Sequence, residues 1–544
     1  MRKFIIILSV AVVTAILTAT GAFGCSKVVL RQGMDFSKVL AKENTKYVVK
    51  NSIDLGGRTI QIGTGSTLMF KGGILTNGIL QGTFKLKNVK KGSLNVNFSN
   101  CSITGTVPVY NNGDVAGLLS SCIDECKVME DITIDKSIKL RACIKGNDYS
   151  ITCSEKTPVA IYINNSKTPI TIDGLVIKKL IPPGTINQNY AINSTNSSNI
   201  TIKNSTVEGR IRFANKTKSD SPNDISQNIT IIDSRLYADF SDCPQGWEYG
   251  QDHLAFYSIK KVRIENCEIV SKNVNRVLKT SAYFTDTNYD HPQNCTENVL
   301  FKNNQVQSES GWGKQFWDMY CGTVNATISD NIVNLNGFTR FVENKAYQVK
   351  YKDDRPISSV IIISNNVVNM VCGNLFQFHA NSDYDKFVVQ GNRFRLGGSN
   401  RNSVSDNNRS TGIQLQGYNS CSLIDNVFEW VDEAEGMSFA SINFRSGTTS
   451  VIGNSFINAG LITVSKANHM SHAIIPTVCD SIEISGNFFT GKAVTNQKDS
   501  PIVTTDCEIK LLTVHDNSGL QTQGLVKQGR GAIIRHLRLE SPAK

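Results

Sequence analysis

The chain has 544 residues, with 57 Lys and Arg against 46 Asp and Glu, a formal net charge of +11. That length ordinarily predicts several domains, although one solenoid escapes the rule because its core grows along a single axis. A basic excess suits an acidic partner, and for an exported chain that means a uronate or sulfated glycan more readily than nucleic acid, although the basic residues are spread along the chain.

Residues 1–24 read as a targeting segment and not as fold. Arg2 and Lys3 form the charged start and Phe4 to Leu17 the apolar stretch. Its removal lowers the net charge from +11 to about +9. Ala22-Phe23-Gly24-Cys25 resembles a bacterial lipoprotein box, which implies Cys25 as the lipidated first residue, a membrane partner through that lipid, and an exported outer-membrane protein. Phe23 departs from the usual box, so cleavage by ordinary signal peptidase stays open. The residues after Cys25 lack an acidic run, which leaves the periplasmic face and the cell surface both open. No later apolar run is long enough to span a bilayer.

Residues 25–44 form the lipidated Cys and a tether. Residues 45–130 are Gly-punctuated short strands, such as Thr67-Leu-Met-Phe70 and Phe84-Lys-Leu86, and are expected to be capping coils. One helix over 114–126, with Asp114 as its N-cap, would complete the cap. Of the thirteen Cys after Cys25, those at repeat positions (Cys267, Cys321, Cys372 and Cys421) are expected to be buried thiols. Cys122, Cys126, Cys143 and Cys153 lie close enough for one disulfide but lack paired C-x-x-C spacing, which argues against zinc.

Residues 131–520 carry the organising pattern, irregular at first and regular from Ile170. The phrase apolar-x-apolar-x-Asn/Asp/Gly-x-x-apolar returns as Ile202-Lys-Asn204, Ile264-Glu-Asn266, Phe301-Lys-Asn303, Ile328-Ser-Asp330, Ile363-Ser-Asn365, Val389-Gln-Gly391 and Ile484-Ser-Gly486, among others. Successive turn residues stand about 26 to 37 apart, a stacked-repeat period. Alternation on both sides of the turn marks strands. Asn, Asp and Gly tolerate the left-handed backbone of a sharp corner, and stacked Asn amides can bond from coil to coil. The expected fold is all-β: a right-handed parallel β-helix of a dozen or more coils with an N-terminal cap, closed by residues 521–544 as a C-terminal cap. This resembles the pectate-lyase-like superfamily. The Phe70 to Gly82 phrase is similar to the opening coils of bacterial β-helix lipoproteins.

A second strand follows each turn strand: His253-Leu-Ala-Phe256, Val277-Leu-Lys279, Phe316-Trp-Asp-Met319, Phe341-Val-Glu-Asn-Lys345, Phe376-Gln-Phe-His379 and Ile413-Gln-Leu-Gln416. If Leu254, Leu278, Met319, Val342, Phe378 and Leu415 point inward, alternation sends His253, Lys279, Asp318, Glu343, Lys345, His379 and Gln414 or Gln416 outward as one row. Long loops flank the row with Trp247 and Tyr249. Trp312 and Trp317 lie nearby, and flat aromatic faces beside a polar row suit sugar stacking.

Three activities fit the row. A lyase on an acidic polysaccharide needs a base, Lys279 or Lys345 with His253 or His379, and Arg276 or Arg340 near the uronate carboxylate. Lysine or arginine bases are what the lyases of the resembled superfamily imply. A glycoside hydrolase would use Asp318 and Glu343, on consecutive coils and so about 5 Å apart at the backbone. The third reading is a glycan-binding or structural rod. Asp286, Asn288, Asp290 and Glu297 match four positions of a twelve-residue calcium loop, with His291 where that loop needs Gly, so Ca²⁺ is a possible cofactor. No pattern selects an oligomeric state.

Overall fold

The computed structural model describes residues 26–184, 189–216, 227–244, 251–281, 296–320, 323–345, 359–371, 374–379, 386–397, 413–416, 420–430, 440–444, 447–457, 462–466, 478–490, 502–505, 508–519, 526–528, 531 and 533–539. Cys25, Trp247, Tyr249, Asp286, Asn288 and Asp290 therefore lie outside the described residues. Lys345, His379, Gln414 and Gln416 lie on described strands, but their side chains fall outside the description. Among the described residues no helix is long and apolar enough to cross a membrane.

The chain divides into two compact units, residues 1–132 with Arg141–Cys143, and residues 133–140 with 144–544. In the first, the strands Thr45–Val49, Thr59–Phe70, Ile74–Lys87 and Leu94–Thr104 stack in parallel. The helix expected over 114–126 is shorter, Val115–Ser121, with the Asp114 carboxylate accepting from the Gly117 N–H at 3.1 Å. Cys122 is already extended, and Glu125–Val128 pairs as a strand with Thr106–Val109. Cys122, Cys126 and Cys143 are free thiols here, and so is Cys153 in the second unit.

The second unit is a parallel β-helix, as the pattern predicts. Each coil contributes a turn strand, a corner, a second strand and a third. One coil reads Val262–Glu265, Glu268–Lys272 and Arg276–Ser281. Each strand pairs in parallel with its equivalent one coil on. Two coils run their second and third strands together, as Gln305–Tyr320 and Ile332–Lys345.

The corner is where the repeated phrase acts. Gly174, Asn204, Asp233, Asn266, Asn303, Asp330, Asn365, Gly391, Asp425, Gly453, Gly486 and Asp516 all hold left-handed backbone, with φ between 50° and 67°. Amides bond from coil to coil here, for example Asn204 to Asp173 at 2.9 Å, but these side chains are exposed. The inward ladder lies one residue later: Asn304, Asn331, Asn366, Asn392, Asn426, Asn454, Asn487 and Asn517 are all buried. Each Nδ2 in this series donates to the Oδ1 of the next at 2.8 to 3.1 Å. Each Oδ1 also accepts the backbone N–H of the preceding coil, as Asn392 does from Asn366 at 2.9 Å. Ser205, Ser234 and Cys267 hold the same place in earlier coils. Inside the coil, Phe394, Phe428, Phe456 and Phe489 stack with centroids 4.9 to 5.3 Å apart.

Removing a ladder amide leaves buried neighbours without partners, which costs roughly 1–3 kcal/mol. Asn392→Ala should therefore lower the urea midpoint clearly. Asn369→Ala, which loses only an exposed bond to Asn334, should shift it far less. Equal shifts for the two variants would contradict a buried ladder that fixes the register.

Candidate functional site

The third strands repeat a quartet. Asp252, Arg276, Gln315 and Arg340 pair in register, and so do Lys279, Asp318 and Glu343 three residues later, preceded by Ala255. The two residues between these columns face the core. Val277 and Leu278, Phe316 and Trp317, and Phe341 and Val342 are all fully buried apolar residues. The chain bends through the quartet, so out-in-in-out replaces strict alternation.

This pattern corrects two expectations. His253 precedes Leu254 in the quartet and lies in the interior with no exposure. Its Nδ1 is 2.7 Å from Ser271 Oγ. Burial, assisted by the charge of Arg210, pushes its pKa down to about 3, so it is a neutral core histidine. Trp317 also fills the core, beside Phe301, and donates its indole N–H to Thr280 Oγ1 at 2.8 Å. Trp312 is half-buried between Gly311 and Gly313.

The outward columns form one charged network (Lys279, Asp318, Glu343, Arg276 and Arg340 of the expected set, with others not anticipated). Arg276 bridges two carboxylates, Asp252 at 3.0 Å and Asp318 at 2.6 Å. The second contact is close in distance but poorly angled, and neither oxygen of Asp318 accepts a hydrogen bond. We treat it as a charge contact, because attraction between ions depends on distance far more than on angle. Lys279 Nζ lies 4.0 Å from Asp252. Glu343 is held by Arg340 at 3.2 Å and by the Gln315 amide.

Burial ranks these groups. The carboxylate side chains are sealed, at 3% exposure for Asp252, 0% for Asp318 and 3% for Glu343, whereas Lys279 keeps 19%, Arg340 14% and Arg276 11%. Burial pushes the Asp252 carboxyl up, but the charges of Arg276, Lys279 and Arg210 outweigh it and hold the group below the usual carboxylate range. Burial opposes the Arg276 charge, yet Asp252 and Asp318 hold its pKa above the ordinary value.

Sequence reasoning missed the flank one and two coils earlier. Arg210 stands over the Tyr190 ring at 4.7 Å and donates Nε to the Asp252 carbonyl at 2.9 Å. Arg212 lies 5.2 Å from the Tyr257 centroid, and Lys279 Nζ lies 5.7 Å from it. Burial, with the nearby Asp252 charge, drives the Tyr257 hydroxyl pKa upward. The signal was present in register: Arg212, Ala255 and Lys279 share one column. Of the calcium set only Glu297 is described. Burial raises its pKa against the pull of Lys260.

No protein-family model matches the chain, and no curated relative does. Among solved structures it is similar to tailspike proteins of E. coli bacteriophage HK620. One mutant, in complex with hexasaccharide, is 13% identical with a TM-score of 0.32, covering 90% of this chain and 71% of that one. A second mutant is 12% identical with a TM-score of 0.34 and the same coverage. A third, in complex with pentasaccharide, is 12% identical with a TM-score of 0.27, covering 96% and 74%. Likeness at these scores carries no functional inference, and the charged network stands on its own side chains.

The His253 environment sets a pH dependence. Its folded pKa of about 3 lies below the ordinary value of roughly 6.5. Between those values the unfolded chain takes a proton that the folded chain refuses, so stability falls as pH drops through that window. His253→Gln removes the titration. Urea midpoints measured from about pH 7 to pH 4 should fall less steeply for the variant. Parallel slopes would show that His253 is protonated in the folded chain.

Proposed function

We propose that this is an exported polysaccharide-active β-helix protein that binds an acidic glycan along the third-strand face and cleaves it by β-elimination. The observation that carries the reading is the arrangement around Lys279. It is the most exposed charge of the central network, set on a floor where five cations (Arg210, Arg212, Arg276, Lys279 and Arg340) face three carboxylates. A net-positive floor attracts a uronate chain and lowers the energy of charge building on its carboxyl group.

In the proposed step, the Lys279 amine first releases its own proton to solvent and then removes the proton on the carbon beside the uronate carboxyl group. The electron pair forms the new carbon–carbon double bond, the glycosidic carbon–oxygen bond breaks, and the leaving oxygen takes up a proton. Asp252 and Asp318 clamp Arg276 so that its charge stays at a fixed place beside Lys279. Arg340, clamped only by Glu343, is the more exposed guanidinium and the candidate to meet the uronate carboxylate.

A glycoside hydrolase is the second reading, favoured by the direct register of Asp318 with Glu343. It ranks lower because both carboxylates are sealed and already paired with arginines, whereas hydrolysis needs both to reach the bond or a water. Export and lipid attachment follow from Arg2, Lys3, the apolar leader and Cys25, and would place the groove where acidic polysaccharides occur. A Ca²⁺ site is proposed at Asp286, Asn288, Asp290 and Glu297 on their spacing in the sequence alone.

Incubation with a panel of uronate polysaccharides should generate ultraviolet absorbance from unsaturated ends, and Lys279→Ala should abolish it while the chain still folds, as circular dichroism would show. New reducing ends without absorbance, lost in Glu343→Gln, would replace elimination with hydrolysis. Glycan binding with neither product would leave a binding rod.

A further inference from the structure

We infer that the first unit carries a lysine face that lies against an anionic lipid surface, beside the lipid that Cys25 would bear. The inference goes beyond the glycan reading and rests on the lipid attachment proposed above. Lys and Arg occur along the whole chain, but their excess over acids does not. Residues 26–110 hold twelve of them against three acids, Asp35, Glu43 and Asp54, whereas residues 111–544 hold 43 of each. The whole positive excess that follows the leader therefore sits in residues 26–110.

The fold gathers part of that excess on one side of a sheet. Ser26–Val29, Thr45–Val49, Thr59–Phe70 and Ile74–Lys87 pair in parallel in that order. Register sets Lys27, Lys46, Thr67 and Lys85 in one column, and Val29, Val48, Met69 and Lys87 in another. Tyr47, Leu68 and Leu86, which stand between the two columns, are buried, so alternation turns both columns outward. Lys27, Lys85 and Lys87 are exposed, and so are Lys50 and Lys71, which follow the ends of their strands. No acid stands in either column. Asp35 is paired with Lys38 at 3.5 Å, and Asp54 accepts from the Gly56 N–H and the Asn77 amide. Residues 111–132 bring five acids, four of which are engaged elsewhere. Asp114 accepts from the Gly117 N–H, Asp124 from the Gly105 N–H, Glu125 from the Thr106 hydroxyl and Glu130 from Lys91.

Position selects the partner. The first strand opens at Ser26, so a lipid on Cys25 would join the chain within about 7 Å of Lys27. One acyl chain holds a protein to a bilayer only marginally, and stable attachment takes a second signal such as a polybasic surface. Anionic headgroups attract each lysine near the surface, within a Debye length. Val29 and Met69 are half-buried beside the lysines and give the face apolar area to rest among headgroups.

The test uses the mature chain from residue 25 with Cys25→Ala, which carries no lipid. Co-sedimentation compares vesicles of phosphatidylcholine alone with vesicles of phosphatidylcholine and phosphatidylglycerol in equal parts. The chain should prefer the mixed vesicles and leave them as salt rises. Lys27→Gln, Lys46→Gln, Lys85→Gln and Lys87→Gln together should weaken that binding roughly a hundredfold. Lys85→Gln with Lys87→Gln should weaken it about tenfold, and this pair is the readout if the fourfold variant does not fold. Binding without preference for the mixed vesicles, or unchanged in both variants, would overturn the inference. Loss of uronate oligosaccharide binding in the variants, with vesicle binding retained, would assign the face to the glycan and overturn it as well. Mass spectrometry of the chain purified from cells reads the lipid separately. An unacylated Cys25, together with vesicle binding that the variants lose, would refute lipid attachment alone and support the lysine face.

Discussion

The structure depends on register, and register is held by a buried amide ladder next to a left-handed corner. Parallel backbone pairing alone does not choose between one alignment and another, and a slip of one residue exchanges the two faces of every strand. The corner removes that freedom. A residue with φ near 50–67° turns the chain at one place per coil, and the following Asn reaches inward to accept the N–H of the coil before it. Any other alignment strands these amides in an apolar interior without partners, which costs more than a typical bond gains. The ladder continues from Asn304 to Asn517, so alignment set at the corner is transmitted to the third strands.

That transmission is what makes a site possible. Asp252, Arg276, Lys279, Asp318, Arg340 and Glu343 come from four strands spread over some ninety residues of sequence, yet their register partners are direct. Sealing such charges from water is expensive, and a buried ion pair is weak evidence for stability. The network is better understood as preorganisation. Each carboxylate is spent on orienting a cation, and the cations keep the greater exposure. A charged network built this way holds its positive groups at fixed places without rearrangement.

The sequence made the coil legible because the corner has a narrow chemical requirement. Only Asn, Asp and Gly recur at the bend, and all twelve positions took left-handed backbone. The column Lys279, Asp318 and Glu343 was legible too, since one flanking apolar position in each strand was enough to orient it. What was not legible was the bend within the third strand. Alternation is a property of extended backbone, and it fails where two successive residues turn inward. His253 was therefore placed outside when it belongs to the core, whereas Trp317 has the inward parity of Met319 and was drawn to a stacking role only by its nearness to the polar row. The same bend hid Gln315 and the pairing of Asp252 with Arg276, because alternation gives these residues the parity of the core. Tyr190, Arg210 and Arg212 were missed for a different reason. Their strands pair through a shift in register between Tyr190 and Ile192, which the spacing of the repeated phrase does not reveal.

The column also has a direction. From Asn193 it runs through Arg212, Ala255 and Lys279 and continues to Asp318 and Glu343, after which the register partners are Gln377 and then Gln414. Positive charge is thus concentrated toward the earlier coils, and the later positions are occupied by neutral amides. A polysaccharide has two different ends, and its acidic groups recur at a fixed interval. On a face of uniform charge such a chain could lie either way with equal energy. On this one, a uronate chain bound as proposed would set its acidic groups at the positive end and leave the uncharged positions to the sugars that follow. Binding energy spent at a point away from the reacting bond then acts as alignment, which is the use that remote contacts serve in catalysis. The asymmetry needs no loop to impose it, because it is written in the order in which coils stack.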